Sequence, residues 1–94
     1  MDNAPPHKVL VPPNVLFRNL LDGESVILNL KTGTYFGLDE VRTRMWAALT
    51  NSESVQEAFA SLLAEYAVDA ERLQRNLDEF VNRLAGRGLL EMSG

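Results

Sequence analysis

Residues Gly33–Leu38 read Gly-Thr-Tyr-Phe-Gly-Leu, and this run decides the fold that the sequence predicts. The run is short and largely apolar, which is typical of a β-strand. Just before it, Lys31-Thr32-Gly33 predicts a hairpin-type turn, because glycine readily adopts the positive φ that such turns need. Just after it, Asp39 is a favourable N-cap and predicts the start of a helix. The chain is therefore predicted to be β before this run and α after it.

Two further strands are predicted on the N-terminal side. They are Val15–Leu21 and Ser25–Leu30, and they are separated by Asp22-Gly23, a strong signal for a two-residue hairpin turn. With Thr34–Leu38 they form a three-stranded antiparallel meander. The last strand lies at the junction with the α-helical half, so one of its edges can remain unpaired.

Side chains alternate between the two faces of a strand, so each strand has a predicted core face. In the last strand, Phe36 and Leu38 share one face and Tyr35 and Gly37 share the other. In the second strand, the predicted core face carries Val26, Leu28 and Leu30.

Three helices are predicted after Leu38, each with its own N-cap. Asp39 begins the first helix, Ser54 with Glu57 forms a capping box for the second, and Asp69 caps the third. Gly88 suits the left-handed position after the third helix. Trp46 lies beside the apolar stripe of the first helix and is predicted to be a core anchor. The third helix has the apolar stripe Leu73, Leu77, Phe80 and Leu84, flanked by Val81.

These elements predict one α+β domain, a winged helix-turn-helix-like arrangement of a three-stranded antiparallel sheet followed by three α-helices. All four prolines lie in the first 13 of the 94 residues. Residues 1–10 are therefore predicted to be a flexible tail, and residues 11–92 to be the single domain.

Composition excludes several classes of function. The chain has no cysteine and one histidine, His7, which lies in the predicted tail, so no metal site and no cofactor are expected. No apolar run is long enough to span a membrane and no signal-peptide pattern opens the chain, so the predicted location is cytoplasmic. The formal net charge of −4 disfavours nucleic acid as a partner.

The two flanks of the third helix differ in charge. One carries Arg72, Asn76, Arg83 and Arg87, and the other carries Gln74, Asp78, Val81 and Ala85. A winged helix-turn-helix fold suggests DNA binding, but the segment from Asp69 to Arg87 holds four acidic and four basic residues and is neutral. Paired carboxylates such as Asp78-Glu79 are adjacent on the helix and do not face each other, so catalysis is not expected.

The sequence resembles the PqqD-like family. The resemblance is carried by Val26–Glu40, with its Leu-Asn-Leu-Lys-Thr-Gly-Thr-Tyr-Phe-Gly-Leu signature, by Trp46, by Tyr66–Asp69 and by Arg87–Glu91. It covers the chain from about Val11 to Glu91. Such proteins are recognition elements for ribosomally synthesised, post-translationally modified peptides, and this chain is most similar to the lasso-peptide type.

The resemblance implies a mode of binding. In the family, the leader of a precursor peptide adds as a strand to the third strand of the sheet and lies against the third helix. The strand residues carried over are Thr34, Tyr35, Phe36, Gly37 and Leu38. For the helix, the less charged flank is predicted to line the groove, through Gln74, Leu77, Asp78 and Val81. If the flank with Arg72 and Arg83 faces the strand instead, an acidic leader is favoured.

The predicted protein is thus a non-catalytic binding protein that presents a leader peptide to a maturation enzyme. A lasso-type leader peptidase is preferred, with a cyclase or a radical enzyme as other candidates. The free strand edge also allows a homodimer. Two alternatives stay open, namely a winged-helix DNA-binding transcription regulator and a protein–protein module without a peptide substrate.

Overall fold

The structure of the protein, a computed structural model, describes residues 8–93; the predicted tail up to His7 lies outside the described residues. Strands and helices follow one another as the sequence predicts, with a short strand added at each end. The elements are β1 Lys8–Leu10, β2 Val15–Asn19, β3 Ser25–Asn29, β4 Thr34–Leu38, α1 Glu40–Asn51, α2 Val55–Glu65, α3 Ala70–Gly86 and β5 Glu91–Ser93.

The central sheet has the order β2-β3-β4 and is antiparallel throughout. Its first hairpin turns at Asp22-Gly23, where φ is 63° at Asp22 and 79° at Gly23. The N–H of Glu24 donates to the carbonyl of Leu21 at 3.3 Å, closing the turn. Positive φ at both central residues is the signature of a type I′ turn, so the predicted turn at Asp22-Gly23 is confirmed. The loop is longer than the predicted two residues, because β2 ends at Asn19, which pairs with Ser25 and leaves five residues between them.

The second hairpin shows that the predicted core face of β3 is wrong. The strand ends at Asn29, which pairs with Thr34, so the turn holds four residues and includes Leu30. Because the period of a strand is two, this one-residue difference moves every side chain of β3 to the opposite face. Ser25, Ile27 and Asn29 are buried, whereas Leu30 is 61% exposed.

Asn29 is the reason for this register. Its Oδ1 accepts hydrogen bonds from Asn14 Nδ2 at 2.8 Å, from the N–H of Lys31 at 3.0 Å and from the N–H of Thr32 at 3.3 Å. Gly33, with φ of 76°, donates its N–H to the Asn29 carbonyl at 2.8 Å. Although asparagine is polar, these hydrogen bonds satisfy its buried side-chain oxygen and so stabilise its inward position.

The three predicted N-caps are confirmed. Asp39 accepts from the N–H of Arg42 at 2.8 Å and Asp69 from the N–H of Glu71 at 3.2 Å. Ser54 accepts from the N–H of Glu57 at 3.1 Å, and the Glu57 carboxylate accepts from the N–H of Glu53 at 2.9 Å. Each helix therefore begins where its orphan N–H groups have a side-chain acceptor.

One core joins the sheet to the three helices. Trp46 is 4% exposed and stacks on Phe17 of β2, with ring centroids 5.9 Å apart and planes at 14°. The predicted core anchor is confirmed, and Phe17 is its second neighbour. The apolar stripe of α3 is buried as predicted, through Leu73, Leu77, Phe80, Val81 and Leu84.

The folded domain begins earlier than the sequence predicts. Lys8–Leu10 forms β1 and pairs antiparallel with β5, with Val9 opposite Met92. Val9 is buried in the core. Residues 8–10 therefore belong to the folded unit and not to the predicted tail.

We expect Trp46→Ala to lower the free energy of unfolding by about 3–5 kcal/mol, because it removes a buried ring that contacts Phe17. Tyr35→Ala, at an exposed aromatic, should stay within about 0.5 kcal/mol of the wild type. Urea titration followed by circular dichroism measures both. Similar midpoints for the two variants would contradict this description of the core.

Asn29→Ala should lower the free energy of unfolding by about 2–3 kcal/mol, because three donors lose their buried acceptor. Asn19→Ala is the matched control, since Asn19 is an exposed residue at the end of β2. The same titration compares them. If Asn29→Ala costs no more than Asn19→Ala, the amide does not hold the register.

Candidate groove between strand β4 and helix α3

Strand β4 lies at an edge of the sheet and, among the strands that the structure describes, pairs only with β3. An edge strand presents unpaired N–H and C=O groups at alternate residues, which can pair with an extended peptide. The five predicted strand residues, Thr34, Tyr35, Phe36, Gly37 and Leu38, are all in this strand. Phe36 and Leu38 face inward and Tyr35 is 71% exposed, so the predicted faces of β4 are confirmed.

The C-terminus of α3 contacts this strand directly. The Cζ atom of Arg87 lies 5.0 Å from the centroid of the Phe36 ring, within the range of a cation–π contact. Arg87 is held there by the helix end: Gly88, with φ of 71°, donates to the Ala85 carbonyl at 3.1 Å, and Leu89 donates to the Leu84 carbonyl at 2.9 Å. This is a Schellman arrangement, and it confirms the role predicted for Gly88.

A cleft of about 290 Å³ continues from the end of β4 between the start of α1 and one flank of α3. One side is lined by residues at the start of α1 and its N-cap, which are Asp39, Val41, Arg42 and Met45. The other side is lined by α3, through Asn76, Glu79, Phe80 and Arg83. The flank of α3 that faces β4 and α1 is therefore the one that carries Asn76, Arg83 and Arg87. We refer to the β4 edge together with this cleft as the β4–α3 groove.

The groove has more basic than acidic groups, although the whole chain carries a net charge of −4. Arg42, Arg83 and Arg87 face it against Asp39 and Glu79. Asp39 and Arg42 pair with each other, since the Asp39 carboxylate accepts from Arg42 Nη1 at 3.0 Å, and this leaves Arg83 and Arg87 against Glu79. Positive charge gathered along a cleft favours acidic segments in any partner that lies there.

A smaller apolar pocket of about 140 Å³ adjoins the cleft. The two cavities are neighbours, since both are lined by Val41, Met45 and Asn76. The rest of the pocket wall comes from the ends of α2 and the start of α3, and the lining side chains there are Leu62, Tyr66, Val68, Arg72 and Leu73.

The structure places the other predicted flank of α3 away from β4. Asp78 and Val81 line a separate hollow with Val55, Asn82 and Met92, and Gln74 Nε2 donates to Asp78 Oδ1 at 3.0 Å. The prediction that this flank faces β4 is wrong, because periodicity identifies the buried stripe of a helix but not which neighbour lies on either side of it.

The two apolar helix residues of the predicted groove belong to the core. Leu77 is 0% exposed and Val81 is 6% exposed, so Leu77 offers no side-chain surface to a ligand and Val81 very little. Arg83 was part of the alternative in which the basic flank faces the strand. The residues that neither version of the predicted site included are Arg87 on α3 and Asp39, Val41 and Arg42 at the start of α1. The signal for Arg83 and Arg87 was present in the charge difference between the two flanks.

The described part of the chain has neither a metal-binding cluster nor a membrane-spanning helix. No group of three or more His, Cys, Asp or Glu residues within residues 8–93 is arranged to hold a metal ion. Of the helices that the structure describes, none combines the length and the apolar character needed to cross a membrane. That the protein needs no cofactor stays a prediction.

Comparisons with known proteins show which fold and family this chain is similar to. A search of curated proteins finds no match. A solved structure, described as "TbiB1 in Complex with the TbiA(beta) Leader Peptide", matches with a TM-score of 0.79 and 39% sequence identity, over 87% of this chain and 94% of that one. The model of the family described as "Coenzyme PQQ synthesis protein D (PqqD)" matches residues 24–90. This α+β chain therefore belongs to the PqqD family.

Proposed function

We propose that this protein is a non-catalytic recognition element that binds the leader of a ribosomally synthesised precursor peptide. The observation that carries the proposal is the open edge of β4 beside α3, in a chain that shares 39% identity with a protein solved with a leader peptide. A strand edge beside a groove is a known way to hold an extended peptide, with main-chain hydrogen bonds for affinity and side-chain pockets for specificity.

In this proposal, the leader pairs with β4 as a fourth strand of the central sheet. Its inward side chains lie beside Phe36 and the guanidinium of Arg87. Beyond Leu38, where α1 begins, the peptide continues into the cleft between α1 and α3. An acidic residue in that part of the leader meets Arg83 and Arg42, and an apolar one reaches the adjoining pocket beside Val41.

The protein then delivers the bound leader to a maturation enzyme. We propose a lasso-type leader peptidase, because the structural match is to a protein described in complex with a leader peptide and the sequence resembles the lasso-peptide type. A cyclase or a radical enzyme is the other class of partner.

With this function, the protein is expected to act in the cytoplasm, where the precursor is made. DNA binding is disfavoured, because α3 is neutral and the chain is acidic.

The same edge also permits a homodimer, in which β4 of one copy pairs with β4 of another. Such a pair would use the main-chain groups that the leader needs, so the two are expected to compete. The proposed dimer should therefore dissociate when leader peptide is added, and sedimentation analysis with and without the peptide measures this.

Strand addition predicts where the protein responds to a leader. On titration with the TbiA(beta) leader peptide, amide resonances of Thr34–Leu38 should shift and their hydrogen exchange should slow, because their outward N–H groups become hydrogen-bonded. Strand β2 is an internal control, since it lies at the other edge of the same sheet. A bound leader that perturbs β2, or that leaves β4 unchanged, would contradict strand addition.

The charge of the groove predicts a preference among leader variants. A leader with Glu just beyond the paired segment should bind about fivefold more tightly than the same peptide with Lys there, and added salt should reduce the difference. Arg83→Glu should reverse this preference, because Arg83 lines the cleft.

Arg75→Glu is the matched control for the charge test. It makes the same change on the same helix, at an exposed residue outside the lining of the cleft. Fluorescence anisotropy of labelled peptides measures the affinities, with circular dichroism to confirm folding. If Arg75→Glu and Arg83→Glu shift the preference equally, the effect is one of net charge and not of the groove.

A further inference from the structure

Gly37, in the middle of the edge strand β4, is not required by the fold. Its φ lies outside the left-handed region, and a Cβ built on it meets no other heavy atom within 4 Å. The pairing of β3 with β4 runs from Ser25–Leu38 to Asn29–Thr34 without interruption, so the strand has no bulge there. Glycine inside a strand weakens it and otherwise marks a bulge, a bend or the close approach of a ligand. The uninterrupted pairing excludes a bulge, and the open space at the Cβ position excludes close packing by the described part of the chain, so we take the approach of a ligand as the reason for Gly37.

The register places Gly37 on the outer face of the sheet, the face opposite the helices. Two cross-strand rows lie on this face. One is Leu16–Leu28–Tyr35 and the other is Arg18–Val26–Gly37. The first row ends in a large exposed ring at the β4 edge, whereas the second ends with no side chain at all. The edge of β4 therefore carries a notch on its outer face, with Tyr35 beside it and the half-buried Val26 behind it.

A peptide strand paired with β4 would place one residue directly opposite Gly37. Cross-strand partners point to the same face, so that side chain points outward, over the notch. The residues of the peptide before and after it point inward, toward Phe36 and α3. The outer face is thus contacted by different residues of the peptide from those that enter the β4–α3 groove.

Resting on the proposed function, we infer that the residue of the bound peptide opposite Gly37 is a large apolar one, best an aromatic, and that the notch at Gly37 selects for it. An aromatic side chain on a neighbouring strand covers the exposed backbone of an edge glycine and restores the packing that the glycine lacks. At this site the ring would also contact Val26 across the notch and the Tyr35 ring beside it. The peptide is therefore recognised on both faces of the sheet.

The inference is tested by selection from a displayed library of random linear peptides long enough to pair with all five residues of β4. Nuclear Overhauser contacts to the Gly37 Hα identify the peptide residue opposite it. We expect that residue to be aromatic in the enriched peptides. Its replacement by Ala should weaken binding to the wild type about fivefold.

Two variants of the protein show whether the notch is responsible. In Gly37→Val the side chain fills the notch, so the same peptide replacement should cost less than about twofold. Valine favours strands, so this variant should melt at or above the temperature of the wild type, which separates lost selectivity from lost folding. Gly86→Ala is the control, since Gly86 also has open space around it and lies outside the groove lining. It should keep the fivefold dependence.

The outcomes separate this inference from the proposed function. An equal loss with Gly37→Val and with the wild type would overturn the inference, as would peptides that pair with β4 but carry small or charged residues opposite Gly37. Both results would leave strand addition itself in place. A library that yields no peptide paired with β4 would overturn the proposed function and the inference together.

Discussion

The inward position of Asn29 is the constraint on which the rest of this structure depends. Its Oδ1 accepts three hydrogen bonds at the end of β3, and this fixes a four-residue turn before β4. A turn shorter by one residue would invert the faces of β3 relative to β4. The Asn29 side chain stays inside because its three hydrogen-bond donors would otherwise be left without an acceptor. With the register fixed, Phe36 faces the helices and Gly37 faces outward.

The edge of β4 and the groove beside it arise from the same junction. After Leu38 the chain turns at once into α1, with Asp39 as the N-cap. The start of α1 therefore forms one wall of the cleft directly beyond the end of the strand. The opposite wall is formed by one flank of α3. At the end of that helix, the Schellman arrangement at Gly88 fixes Arg87 over Phe36. Two local helix-end motifs thus position a groove between elements that are distant in sequence.

The sequence predicted those features that depend on local chemistry. Each of them is specified within a few residues. They are the helix caps at Asp39, Ser54 and Asp69, the turn at Asp22-Gly23 and the buried stripe of α3. The order of strands and helices follows from them, and so does the fold class.

Features that depend on distant contacts could not be predicted in this way. The pairing of β1 with β5 joins two three-residue strands at opposite ends of the chain, and neither has a periodic signal of its own. Asn29, at the start of the second turn, is also bonded by Asn14, which lies 15 residues before it. The flank of α3 that faces β4 is likewise a matter of tertiary packing, so the helical pattern could show that the flanks differ but not which one lines the groove.

The charge distribution explains why an acidic protein with a winged helix-turn-helix-like fold suits a peptide better than DNA. A duplex needs a broad basic surface, because its affinity comes largely from neutralised phosphates. Here the arginines along the groove are accompanied by Asp39 and Glu79, and one of them lies over the Phe36 ring. Such a surface is narrow and locally positive within an overall negative field, so it favours a short acidic segment held beside apolar contacts. An extended chain paired with β4 can provide both, because alternate residues of a strand point to different faces.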